Sequence, residues 1–77
     1  MQQQIVEYIA KALVDHPEAV QVRTVEGEKS LIFELKVDPT DMGKVIGRQG
    51  RIARAIRTVA KTASGRTGKL IHVEILD

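Results

Sequence analysis

The stretch Gly43 to Ile52, GKVIGRQGRI, sets three glycines in eight residues between two apolar segments. Glycine weakens a helix by roughly 0.8–1 kcal/mol relative to alanine. A chain of 77 residues has little core to set against that loss, because a domain of this size buries only about 60% of its unfolded surface. The chain holds no cysteine, so neither a disulfide nor a thiolate metal site staples the fold. One domain, spanning 1–77, must therefore be specified by apolar patterning, and the glycines call for a backbone reason.

Patterning divides the chain into six elements. Ile5, Val6, Ile9, Ala10, Leu13 and Val14 recur at helical spacing and predict an amphipathic helix over about 2–15. His16-Pro17 ends it, since the residue before proline is pushed out of the α region. Val20 and Val22 alternate with polar residues, Glu26-Gly27-Glu28 reads as a turn, and Leu31, Phe33, Leu35 and Val37 alternate with Glu34 and Lys36. That is a hairpin whose second strand is half buried. Asp38-Pro39-Thr40-Asp41 reads as a helix start: Asp38 caps, Pro39 takes the first position, and Asp41 complements the dipole. This short helix runs to about Ile46. A longer one then carries Ile52, Ala55, Ile56, Val59, Ala60 and Ala63 on one stripe, with Arg54, Arg57 and Lys61 opposite, and stops near Ser64-Gly65. Ile71, Val73 and Ile75 alternate with His72 and Glu74 in a last strand. The fold class is α+β, in the order α-β-β-α-α-β, with helices covering one face of a three-stranded sheet.

Between two helices the chain reverses at Gly47-Arg48-Gln49-Gly50. Glycine at both ends permits backbone angles that other residues avoid, and it strips side chains from the tip. The next helix begins there, so its unpaired N–H groups face the same spot. With Arg48 in the loop and Lys44 and Arg51 beside it, this is a candidate phosphate-binding tip.

Charge supports that reading. From Lys44 to Lys69 the chain carries Lys44, Arg48, Arg51, Arg54, Arg57, Lys61, Arg66 and Lys69 and no carboxylate. The rest holds four cations against ten carboxylates, a net of −6. One half of the molecule is built to meet a polyanion.

Val45-Ile46-Gly47-Arg48-Gln49-Gly50, followed by Ile52, resembles the signature of KH domains, an RNA-binding family. The element order is similar to the type II KH arrangement, whose sheet is mixed, and in size and layout the whole chain resembles the bacterial single-domain KhpA family. The resemblance implies a single-stranded RNA-binding protein, a post-transcriptional regulator or RNA chaperone. KH domains clamp about four nucleotides at the G-x-x-G loop. By that pattern Gly47, Arg48, Gln49 and Gly50 hold the sugar-phosphate backbone, Lys44 and Arg51 assist, and Val45, Ile46 and Ile52 floor a shallow apolar groove for the bases. Ile56 lies deeper and reads as core. Gln49 is neutral where some members carry a second cation. With Tyr8 and Phe33 as its only aromatic residues, the chain lacks the ring platforms of other RNA-binding modules.

Other function classes find less support. His16 and His72 are isolated in sequence, no cofactor or metal is implied, and the glycines fit neither G-x-x-x-x-G-K-[ST] nor G-x-G-x-x-G. No enzyme is expected. A protein-interaction adaptor is the stronger rival: the apolar stripe of the long helix is wider than a small sheet covers, and Val59 and Ala63 lie near its edge. The KhpA resemblance implies pairing as a homodimer, or with a larger KH-containing partner of the KhpB kind. Met1-Gln2-Gln3-Gln4 lacks a basic n-region and no apolar run approaches a membrane span, so a soluble cytoplasmic protein is expected.

Overall fold

Alternation in the second and last strands sets the sheet. A computed structural model describes residues 2–65 and 68–76, without the side chains of Gln2 and Ser64. Met1 and Arg66, read above as part of the N-terminus and of the cationic run, lie outside the described residues. In chain order the elements are α1 (Gln2–Leu13), β1 (Gln21–Glu26), β2 (Ser30–Lys36), α2 (Met42–Ile46), α3 (Arg51–Ser64) and β3 (Leu70–Leu76), with 3-10 turns at Pro17–Ala19, Pro39–Asp41 and Arg48–Gly50.

The sheet has the order β1-β2-β3. β1 runs antiparallel to β2, closed by Gly27 donating its N–H to the Ser30 carbonyl at 2.8 Å. β3 runs parallel to β2, with Leu31 beside Ile71 and Phe33 beside Val73. A parallel pair needs a crossover, and α2, the glycine loop and α3 supply it. The fold expectation holds: this is an α+β chain with a mixed three-stranded sheet.

Leu31, Phe33 and Leu35 of β2 and Ile71 and Val73 of β3 are buried together with Val6, Ala10 and Val14 from the first helix and Val45, Ile56 and Ala60 from the crossover. Each large member contributes about 1.5–3 kcal/mol by leaving water. α1 packs on β1 and β2, α3 on β3 and along α1, and α2 on both long helices. Solvent faces the other side of the sheet, where His72 and Glu74 are exposed. β1 is the exposed edge; of its residues only Val22 is half buried.

Boundaries moved by small amounts. α1 ends at Leu13, two residues early, although the Val14 N–H still reaches the Ala10 carbonyl at 3.2 Å. Val20 is buried but closes the Pro17–Ala19 turn instead of starting the strand. Among the described residues no helix is long and apolar enough to cross a membrane.

Candidate nucleic-acid interface

The corner between α2 and α3 is built from left-handed backbone. Gly47, at φ 75° and ψ 173°, ends α2 and donates its N–H to the Gly43 carbonyl at 2.9 Å. Gln49 follows at φ 58° and ψ 26°, and Gly50 at φ 71° and ψ 17°. Gly50 and Arg51 return their N–H groups to the Gly47 and Arg48 carbonyls, closing a 3-10 turn. The tip presents exposed Arg48 and Gln49 side chains at the start of that turn. The glycines were legible as permissive positions. That Gln49 also takes the left-handed region was not, since a residue with a Cβ adopts it uncommonly.

Gly47 is required twice over. Its φ is positive, and a Cβ there would stand 2.5 Å from Ile52 Cγ1. The first turn of α3 thus packs directly against the backbone that leaves α2.

Behind the loop, Asp41 is fully buried. Its carboxylate accepts the N–H groups of Asp15 at 3.3 Å and His16 at 3.0 Å, approaches His16 Nδ1 at 3.0 Å, and takes Lys44 Nζ at 3.4 Å. Lys44 also pairs with Asp15. Asp41 lies in the first turn as expected and has a further role: it makes no cap hydrogen bond to α2 and ties the corner after α1 to the start of α2. Asp38 does cap as expected, accepting from the Thr40 N–H at 2.9 Å. Burial pushes the Asp41 pKa up, but the hydrogen bonds from His16, Asp15 and Lys44 outweigh it and hold the group below its usual value. The Asp41 hydrogen bond raises the His16 pKa, with the charges of Asp38, Asp41 and Glu18 adding to it against some desolvation. Lys44 is raised first by Asp15 and then by Asp41.

The other expected site residues divide. Arg48, Gln49 and Arg51 are exposed, and Gly47, Gly50, Ile46 and Ile52 are half buried around the corner. Among the described residues Arg51 reaches only Gln49 Oε1, at 3.5 Å. Val45 does not floor a groove: it has no exposed surface, because α2 turns that position into the core. Ile56 is core, as read. Lys44 faces carboxylates, so its charge is committed to the scaffold. Lys69, at the far end of the cationic run, pairs with Glu26. A run free of acids in sequence is thus anchored at both ends to the acidic half in space.

A shallow apolar groove of about 310 Å³ lies between α1 and α3, lined by Ile9, Leu13, Ile52, Ala55, Ile56 and Val59 with Arg51 at its mouth. Leu13 and Val59 are 38% and 40% exposed.

Comparison with known proteins places this geometry. The family model described as KhpA/KhpB, KH domain, matches residues 3–75. Similar relatives carry the name RNA-binding protein KhpA: those of Clostridium perfringens and Clostridium acetobutylicum are each 62% identical over 73 residues, covering 95% of this chain and 97% of theirs. That of Aquifex aeolicus is 52% identical over 73 residues, covering 95% and 92%. Among solved structures, a crystal structure of Era from Aquifex aeolicus bound to GDP and AlF4 superposes with a TM-score of 0.65 at 21% identity. It covers 96% of this chain but only 29% of that one, and the likeness is one of fold. The chain belongs to the KhpA/KhpB KH-domain family.

Proposed function

We propose that this protein binds single-stranded RNA and that the Gly47–Gly50 corner holds the phosphate backbone. The observation that carries the reading is the exposed Gly47–Gly50 corner, with positive φ at Gly47, Gln49 and Gly50 and with the Arg48 and Arg51 side chains exposed beside it. Guanidinium groups at such a corner suit phosphate oxygens without reading a base. The names of the relatives support the choice of RNA. Ile46 and Ile52 offer the partly exposed apolar surface next to the loop, and the protein acts as a post-transcriptional regulator or RNA chaperone in the cytoplasm. No catalysis is part of the reading.

Titration of an unstructured tetranucleotide against salt tests it. Three or four phosphate contacts give a slope of about −2 to −3 in log affinity against log salt. A slope near zero excludes a phosphate-led mode.

A second reading accompanies the first. The half-exposed Leu13 and Val59 beside the α1–α3 groove favour self-association, or pairing with a larger KH-containing protein of the KhpB kind. A dimer sets two weak RNA sites on one particle, which raises effective concentration on a strand long enough to span both.

A further inference from the structure

α3 bears a row of cations that the G-x-x-G loop does not use. Arg54, Arg57 and Lys61 are exposed, and among the described residues none of them pairs with a carboxylate. With Arg51 they span about 120° of the helix surface at 100° per residue, and roughly 15 Å of its axis.

This arrangement costs stability. Arg51 and Arg54, Arg54 and Arg57, and Arg57 and Lys61 are like charges at spacings of three or four, which repel on a helix. α1 shows the ordinary alternative, with Glu7 and Lys11 paired at 2.8 Å across one turn. Ten carboxylates are present in the chain and none lies on α3. Lys44 and Lys69 are neutralised by the acidic half, whereas the α3 row is kept clear of it. The two exposed threonines on α3 do not interrupt the row, because Thr58 and Thr62 turn their hydroxyls back to the Arg54 and Thr58 carbonyls at 3.1 and 3.0 Å. The row begins at the loop itself, since Arg51 is the first residue of the helix.

We propose that the Arg54, Arg57 and Lys61 face of α3 is a second, sequence-independent track for the phosphates of the strand that flank the nucleotides held by the loop. The proposal rests on the RNA reading above. It makes the footprint longer than the four nucleotides of the loop, and it makes affinity depend on strand length within a single subunit. Charge complementarity favours a polyanion here, because point charges on long flexible stems tolerate any base order.

The test compares a tetranucleotide with an unstructured RNA of about twelve nucleotides, each titrated over a range of salt, for the wild type and for Arg54→Gln with Arg57→Gln and Lys61→Gln. Glutamine keeps helix propensity, and circular dichroism checks the fold. For the wild type the slope steepens from about −2 to −3 on the short strand to about −4 to −5 on the long one, since each contact adds roughly −0.7. The triple variant brings the long-strand slope back by about two and leaves the tetranucleotide slope unchanged. A variant that keeps the wild-type slope on the long strand overturns the track, whether a second subunit or an acidic protein then accounts for the row. In that case the tetranucleotide still binds, so the loop reading survives. Failure of the wild type to bind either strand removes both.

Discussion

Gly47 and Ile52 occupy each other's space: a Cβ on the glycine would meet Ile52 Cγ1 at 2.5 Å and Ile52 Cβ at 2.8 Å. The loop is therefore held from behind by the helix that follows it. Gly50 also has a positive φ, yet among the described residues nothing beyond its chain neighbours and its own helix's backbone lies within 4 Å of where its Cβ would stand. The two glycines should respond differently to alanine. Gly50→Ala carries only the left-handed penalty of about 1–2 kcal/mol. Gly47→Ala adds overpacking against Ile52, for a total of about 2–5 kcal/mol. Urea unfolding of both variants decides this, and equal losses would show that the contact with Ile52 relaxes freely.

The Asp41 cluster predicts a pH profile. The His16 pKa is raised above its ordinary 6.5, so its contribution is complete below that value and is lost as pH rises through the folded value. The Asp41 pKa is lowered below 3.8, so its contribution is present above that value and is lost on acidification. Both act together between about pH 4 and 6.5. Thermal melts of the wild type and His16→Gln should differ more at about pH 5.5 than at about pH 8.5. An equal difference at both would contradict the coupling to Asp41. Asp41→Ala strands the Asp15 and His16 N–H groups while Lys44 keeps Asp15, and should lower the melting temperature more than loss of the exposed Arg23–Glu34 pair.

Much of this was legible beforehand, for physical reasons. Leu31, Phe33 and Leu35 announce a strand because alternation is a local signal, and Asp38-Pro39 announces a helix start because capping acts over two or three residues. The buried role of Asp41 is hidden in the sequence because its partners, Asp15 and His16, lie 26 and 25 residues away. The spacing to Lys44 was the only nearby hint. Lys44 was counted with the RNA ligands for the same reason: its acid-free neighbourhood in sequence hides Asp15, 29 residues back. Val45 is placed in the groove only by the family pattern, and periodicity in a five-residue helix is too short to tell that its side chain points inward.

Val59 is exposed enough to accept a charge without unfolding the chain, at 40% of its surface. Val59→Asp should melt within a few degrees of the wild type, and it should abolish self-association by placing an unpaired charge at the contact. Sedimentation velocity reads the outcome. A wild type that stays monomeric at high micromolar concentration, or a variant that still dimerises, removes α3 from the interface. With the dimer lost, long RNA should bind far more weakly while a tetranucleotide is unaffected.

The loop assignment is tested most directly by Arg48→Asp combined with Gln49→Asp, two exposed positions at the tip. Fluorescence anisotropy with an unstructured single-stranded RNA gives the affinity, and circular dichroism gives the fold. Two carboxylates at the tip repel phosphate, so the account predicts a folded protein with binding lost. A folded double variant with the affinity of the wild type would contradict it.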